Sequence, residues 1–250
     1  MKNRLDKLLL DRGLAPSRER AQALILAGRV LVNQQKVEKP GAAVEDTAAL
    51  RVLGEDQRYV SRGGFKLEAA LSHWQIRLEG RQCADIGAST GGFTDCMLQH
   101  GAASVVAVDT GYGQIAEPLR RDPRVTLRER MNARYLKPGE LGEGISFVSI
   151  DVSFISATLV LPAVLAALHG NAGTMLELVI LVKPQFEAGR EHVGKGGIVT
   201  NPAAHQLAID RVRAAVHDLG VAGSDLMDSP IEGAKGNREF LLYSRFGDRS

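Results

Sequence analysis

The sequence predicts an α/β protein in which a small α+β module precedes an open, mostly parallel sheet that closes with an antiparallel hairpin. Three observations carry this. A glycine-rich turn, Asp85-Ile86-Gly87-Ala88-Ser89-Thr90-Gly91-Gly92-Phe93-Thr94-Asp95, lies between a short apolar run and a helical pattern. Successive predicted strands each hand a polar residue to their carboxyl end: Ser104–Val108 leads to Asp109, Ile145–Ile150 to Asp151, and 177–182 to Lys183, which is where open α/β sheets bind ligands. After a long helical segment, 203–219, the chain returns through 225–228, a turn around Gly233 and Gly236, and a last strand, 239–243, instead of another crossover helix.

The front of the chain is patterned differently. Residues 4–11 form a short helix with Leu5, Leu8 and Leu9 on one face, closed by Arg12-Gly13. Pro16 stops it and Ser17 caps a second helix from Arg18 to about Ala27, with Ala21, Leu24 and Ile25 inward and Gly28 at its end. Short strands follow at Val30–Val32, 35–37 and Leu50–Val52, separated by Asn33-Gln34 and Pro40-Gly41. The boundary is expected at 60/61, with Arg58-Tyr59-Val60-Ser61-Arg62-Gly63-Gly64 as a hinge. Beyond it, Leu67, Ala70, Leu71 and Trp74 make one helical stripe, and Lys66 falls beside it.

Composition narrows the classes. Hydrophobic residues make up 44% and charged residues 24% of the 250, an ordinary globular balance that excludes disordered and fibrous classes. No apolar run approaches the roughly 18 residues needed to span a bilayer, and charge within the first four residues argues against a secretory signal. A cytoplasmic protein without a membrane partner is expected. Cys83 and Cys96 show neither a disulfide framework nor metal spacing, and no metal is expected. The net charge of +2 is uneven: residues 1–60 hold 11 Lys or Arg against 8 Asp or Glu, leaving 20 against 21 elsewhere. A basic front on a near-neutral body points to an acidic polymer as partner.

The glycine turn departs from the dinucleotide fingerprint, because Ser89 stands two residues after Gly87. A carboxylate at its mouth, Asp85, would repel a pyrophosphate, yet suits a ligand with an ammonium and a sulfonium. S-adenosylmethionine is such a ligand. Asp109, about 20 residues on, is placed to hold a ribose diol of either cofactor, and Arg130-Met131-Asn132-Ala133-Arg134 is the loop expected beside the adenine. The hairpin closure is the pattern of methyltransferase sheets and favours that cofactor. The expected cofactor set is Asp85, Gly87, Ala88, Ser89, Gly91, Gly92 and Phe93 on the turn, with Asp109, Asn132 and Asp151. Gly189-Arg190-Glu191-His192-Val193-Gly194-Lys195 imitates a phosphate loop, but Gly196 stands where the metal-binding Ser or Thr must be. It is expected to be a substrate-facing loop.

Methyl transfer from a sulfonium to a ribose hydroxyl pairs a good leaving group with a poor nucleophile, so the enzyme must align two atoms and remove a proton. A lysine does this if a second cation and partial burial lower its pKa, with carboxylates holding the geometry. Lys66, Asp151, Lys183 and Glu239 supply two lysines and two carboxylates from four separate elements, with Lys183 as the expected proton acceptor.

These four match, in order, the K-D-K-E tetrad of the FtsJ-like RNA 2'-O-methyltransferases. The front segments Arg4-Leu5-Asp6-Lys7-Leu8-Leu9, Ser17-Arg18-Glu19-Arg20-Ala21 and Gly28-Arg29-Val30-Leu31-Val32-Asn33 resemble the small RNA-binding fold named after ribosomal small-subunit protein S-four. With Val60-Ser61-Arg62-Gly63-Gly64-Phe65-Lys66-Leu67, Leu181-Val182-Lys183-Pro184-Gln185-Phe186-Glu187 and Gly236-Asn237-Arg238-Glu239-Phe240, the whole chain resembles the TlyA (hemolysin A-like) family. The resemblance implies a Rossmann-like class I methyltransferase sheet over 61–250, an RNA-binding domain over 1–60 and S-adenosylmethionine as cofactor. It further implies ribosomal RNA as substrate and 2'-O-methylcytidine as product, with large-subunit RNA expected as the target. Lys7, Arg18, Arg20, Arg29 and Arg62 are the implied RNA contacts. Gln57-Arg58-Tyr59-Val60 departs from the Arg-x-Trp-Val linker of longer members. The family's older name raises a pore-forming reading, which the lack of a signal, a span or a long helix with one fully apolar face opposes. A non-catalytic RNA-binding or ribosome-assembly factor is the third reading.

Overall fold

The computed structural model describes residues 2–15, 17–53, 58–168, 175–221 and 223–246; Pro16, read above as a helix stop, and Gln57 lie outside them. Contacts divide the chain into two compact units, Met1–Asp56 and Gln57–Ser250.

The first unit has the order β1 (Lys2–Arg4), α1 (Leu5–Asp11), α2 (Arg18–Leu26), β2 (Val30–Val32), β3 (Gln35–Lys36), β4 (Ala43–Glu45) and β5 (Leu50–Val52). Ser17 caps α2 as expected, its hydroxyl accepting from the Arg20 N–H at 3.2 Å. Strand β2 sits between β3 and β5, while β1 and β4 pair separately. Leu5, Leu9, Ala21, Ile25 and Val30 are fully buried between helices and strands.

Asp6 is also fully buried. It accepts from Arg4 Nε at 3.0 Å, Arg18 Nε at 3.1 Å, Gln22 Nε2 at 2.9 Å and the Lys7 N–H at 2.9 Å. The Arg4 bonds, followed by those of Gln22 and Arg18, hold its carboxyl well below the usual range against the opposing effect of burial. Arg18 and Arg29 therefore both have structural duties, Arg29 donating from Nε to the Leu53 carbonyl at 2.9 Å.

The second unit contains α3 (Gly63–His73), β6 (Gln82–Ile86), α4 (Gly92–Gln99), β7 (Ser104–Val108), α5 (Glu117–Arg120), β8 (Val125–Arg128), β9 (Ile145–Ile150), α6 (Leu161–Ala167), β10 (Leu176–Val182), α7 (Pro184–Glu187), α8 (Pro202–Asp218), β11 (Ser224–Asp228) and β12 (Phe240–Phe246). Seven strands form one sheet in the order β11-β12-β10-β9-β6-β7-β8. The strands from β10 to β8 run parallel, and β12 enters antiparallel between β10 and β11. This is the expected mostly parallel sheet with an antiparallel closing hairpin. Both faces are covered. Ile150, Ile180 and Val182 pack with Leu161, Val164 and Val212 of α6 and α8, while Phe147, Val179 and Leu181 pack with Leu67 and Met97 of α3 and α4. Burial on both faces explains why the central strands are mostly apolar on both faces and show no strict alternation.

The segment read as a hinge belongs to this second unit. Tyr59 is 2% exposed and meets Phe65 edge-on at 5.3 Å, and the Val60 N–H donates to Asp95 Oδ2 at 2.7 Å. Gly63 and Gly64 begin α3, and a Cβ on Gly64 would lie 2.2 Å from the Tyr59 ring. The glycine there permits close packing, not bending.

Candidate active site

Strand β6 delivers the glycine turn to the carboxyl end of the sheet. Gly87 has φ +90°, and a Cβ on it would lie 2.4 Å from the Asp151 carbonyl oxygen. A side chain is excluded on both grounds. The Gly87 and Ala88 N–H groups donate to the Val108 carbonyl, and the Asp151 N–H to the Ile86 carbonyl at 2.8 Å, so three strand ends meet at this turn. Gly92 brings the start of α4 against Ser61, whose Oγ would lie 2.2 Å from an added Cβ. Gly91 packs on Leu119.

Two adjoining lobes open at this end and share Gly87, Ser89 and Asp151. The larger, about 360 Å³, is lined by Asp109, Gly111, Gln114, Met131, Asn132, Phe154 and Ile155 among others. Asp109 organises its wall, accepting from the Ser89 N–H at 2.8 Å and the Gly111 N–H at 2.6 Å. Asn132 caps the short 3₁₀ turn Ala133–Tyr135, its Oδ1 accepting from the Arg134 N–H at 3.0 Å. The smaller lobe, about 260 Å³, is lined by Ser61, Arg62, Lys66, Ala88, Phe93, Asp151 and Glu232 among others. Of the expected cofactor residues, Gly87, Ser89, Asp109, Asn132 and Asp151 line the larger lobe, and Ala88, Gly92 and Phe93 the smaller.

Gly91 lines neither lobe, and nor does Asp85. The carboxylate expected at the mouth of the turn lies beneath it, fully buried, accepting from Thr94 Oγ1 at 2.6 Å and Ser149 Oγ at 2.9 Å. Burial pushes its carboxyl up from 3.8 to about 6, against the lowering by those two hydroxyls. A carboxyl that binds its proton more tightly in the folded state costs stability once ionised. Asp85→Asn should therefore gain on the wild type as pH rises from about 4 to 6, by on the order of 3 kcal/mol, and hold that difference above. Urea unfolding at pH 4 and pH 8 checks this; a pH-independent difference would mean Asp85 titrates as an exposed carboxyl does.

The four expected catalytic residues resolve into two ion pairs. Lys66 Nζ donates to Glu239 Oε2 at 2.5 Å, and Lys183 Nζ lies 2.6 Å from Asp151 Oδ1 while donating to Ser153 Oγ at 2.8 Å. Strand register brings Asp151, Lys183 and Glu239 to the same end of the sheet, and α3 adds Lys66. Val182 of β10 pairs with Phe240 of β12, and Ile150 of β9 with Ile86 of β6, so Lys183 and Glu239 each lie one residue past a paired position. Lys66 and Asp151 line the smaller lobe; Lys183 and Glu239 line neither lobe and stand behind their partners. Lys66 is 9% and Glu239 3% exposed, so Lys66 is not a solvated helix lysine.

Phe154 escaped the sequence reading. It is 93% exposed, has φ +66° and tilts against Phe186 at 5.5 Å. An aromatic three residues past a strand-end acid was the available signal. Tyr112, exposed beneath Arg130 at 4.2 Å, was also missed. The segment imitating a phosphate loop is a 3₁₀ turn, Arg190–His192, followed by a loop that Asn237 fastens: its Nδ2 donates to the Gly197 carbonyl and its Oδ1 accepts from the Val199 N–H. Among the described residues no cluster of His, Cys, Asp and Glu is placed to hold a metal, and no helix is long and apolar enough to cross a membrane.

Comparison with known proteins places these features. The FtsJ-like methyltransferase family matches residues 59–246, and the S4 domain matches residues 3–48. A Mycobacterium tuberculosis protein named 16S/23S rRNA (cytidine-2'-O)-methyltransferase TlyA is 46% identical over 97% of this chain and 89% of its own length. A Campylobacter jejuni protein named 23S rRNA (cytidine-2'-O)-methyltransferase TlyA is 32% identical over 74% of this chain and 70% of its own. A solved structure of a candidate hemolysin from Streptococcus thermophilus superposes with a TM-score of 0.74 at 45% identity, covering 99% of this chain and 89% of that one. With a paired Lys-Asp-Lys-Glu set at the carboxyl end of its seven-stranded sheet and an S4 match in its first unit, this chain belongs to the FtsJ-like methyltransferase family.

Proposed function

We propose that this protein uses S-adenosylmethionine to methylate the ribose 2'-hydroxyl of cytidine in ribosomal RNA. The observation that carries the reading is the pair of ion pairs, Lys66–Glu239 and Lys183–Asp151, beside a two-lobed cleft. Bound S-adenosylmethionine supplies a methyl group on a sulfonium whose leaving group is a neutral thioether. The larger lobe suits its nucleoside end, with Asp109 toward the ribose diol and Asn132 beside the base. Asp151, common to both lobes, marks the junction where the methyl and the 2'-oxygen are to be held in line. As the oxygen–carbon bond forms and the sulfur–carbon bond breaks, the hydroxyl proton leaves for a base, which we assign to Lys183 acting as a neutral amine, so that the ammonium paired with Asp151 must first release a proton to solvent. Lys66 and Glu239 hold the opposite wall.

The partner is read from the rest of the chain. Lys7, Arg18, Arg20 and Arg29 of the first unit, and Arg62 at the smaller lobe, are proposed phosphate contacts. The first unit, which ends at residue 56 and not at the expected 60, would then be the RNA-binding part and the second unit the methyltransferase part. Exposed Phe154, which lines the larger lobe, and exposed Tyr112, next to its lining residue Gly111, would offer surfaces on which unpaired bases stack. Both named relatives act on 23S RNA by name, one of them on 16S RNA also, so large-subunit RNA is the proposed target, met in the cytoplasm where ribosomes are assembled.

The deciding experiment is transfer of tritiated methyl from S-adenosylmethionine to purified ribosomal subunits, followed by digestion to nucleosides. Label in 2'-O-methylcytidine of the large subunit is expected. Equal incorporation into both subunits would overturn the large-subunit preference, and label in a base would overturn ribose methylation. No incorporation together with leakage from liposomes would favour the pore-forming reading.

A further inference from the structure

We propose that Glu187 is a positioning residue that holds the segment 151–157 against Lys183, and so sets the wall shared by the two lobes; this rests on the methyl-transfer reading of the site. Glu187 ends α7, is 4% exposed, and lines neither lobe. Its Oε1 accepts from the Ala157 N–H at 2.7 Å and its Oε2 from Ser156 Oγ at 2.5 Å. Its own N–H donates to the Lys183 carbonyl at 3.2 Å. One residue thus grips the backbone of Lys183 and the far end of the segment that begins at Asp151. Arg211 of α8 fixes the Glu187 carbonyl from the other side, donating from Nη1 at 2.7 Å.

The segment needs such an anchor. Residues 151–156 belong to no helix or strand, and the near end is tied by the Asp151 N–H to the Ile86 carbonyl. Between the ties lie Ser153, which accepts from Lys183 Nζ, and Phe154, whose positive φ persists only where its surroundings impose it. Burial raises the Glu187 carboxyl, and the bonds from Ser156 and Ala157 oppose that rise. Its enclosure is thus matched by donors from the segment it holds.

The test compares Glu187→Ala, Glu187→Gln and Ser156→Ala in the full chain. A misplacement of about 1 Å costs roughly 100-fold in a reaction governed by alignment. Glu187→Ala is therefore expected to lower kcat by roughly 10- to 100-fold, with KM for RNA within about twofold. Amide exchange at residues 152–157 of the cofactor-free protein should quicken about tenfold as the anchor is lost. Glutamine keeps an acceptor for Ala157, and the Ser156 hydroxyl can turn to accept from its amide, so Glu187→Gln should restore both readouts to within about threefold. A folded Glu187→Ala protein with wild-type kcat and exchange would overturn the proposal, as would a Gln variant as damaged as the Ala variant. Should Glu187→Ala fail to fold, unchanged kcat and exchange in Ser156→Ala would overturn it instead. A wild type that transfers no methyl would sink the functional reading while leaving the exchange comparison to judge Glu187.

Discussion

Lys183→Ala is expected to slow methyl transfer by at least about 100-fold, the lower bound of what general base catalysis contributes, while leaving S-adenosylmethionine affinity near that of the wild type. The second half follows from placement: Lys183 lines neither lobe and touches the cleft through Asp151 and Ser153. Lys183→Arg is the informative variant. A guanidinium can keep the ion pair with Asp151, yet it does not give up a proton near neutral pH. If Lys183 takes the hydroxyl proton, Arg fails as Ala does; if it only neutralises Asp151, Arg restores much of the rate. Single-turnover rates for both variants, beside calorimetric cofactor binding, separate these outcomes, and an active Arg variant would remove Lys183 from the role of base.

The second large effect concerns the other pair, where folding and activity part company. Lys66→Ala leaves Glu239, 3% exposed, without the ammonium that stands 2.5 Å away. Removing one partner of a buried pair typically costs about 3–5 kcal/mol, whereas replacing both with apolar side chains is often nearly neutral. Lys66→Ala should therefore unfold at markedly lower urea. The double variant Lys66→Met/Glu239→Leu should recover to within about 2 kcal/mol of wild type, giving a large coupling energy in the cycle. It should nonetheless transfer no methyl. A loss below about 1 kcal/mol in Lys66→Ala would show that water screens the pair, and an active double variant would take both residues out of the chemistry.

Much of the frame was legible because the central strands are buried on both faces. Ile145–Ile150 and Leu176–Val182 are dominated by apolar residues, broken only by Ser146, Ser149 and Glu177, and the polar residue after each lies at the carboxyl end of the sheet, where open α/β sheets bind ligands. Legibility failed where a neighbour distant in sequence decides. Strand β8, Val125–Arg128, alternates half-buried with exposed positions at the sheet's edge and left no apolar run. The aim of Asp85 depends on Thr94 and Ser149, from another helix and another strand, so its residue type announced a site while its side chain turned into the floor. Gly63 and Gly64 read as a hinge, yet Gly64 packs against Tyr59 and Gly63 against Ser61 and Phe93. The tie between Asp6 and Arg4, Arg18 and Gln22 unites two helices and a strand end, and it gives Arg18 a structural task that helical periodicity could not announce.

The closing strand has a consequence for how the molecule is made. Because β12 lies between β10 and β11, the sheet cannot be filled from one edge inward in the order of synthesis; a gap must wait for the last strand. Glu239 immediately precedes that strand, 173 residues after Lys66. During translation the lysine ammonium therefore exists for most of the chain's growth without its counter-charge, and closing so long a loop is entropically expensive until the pairing on both sides of β12 rewards it. The Lys66–Glu239 pair is thus expected to be among the last contacts of the second unit to close, once β12 has paired on both sides.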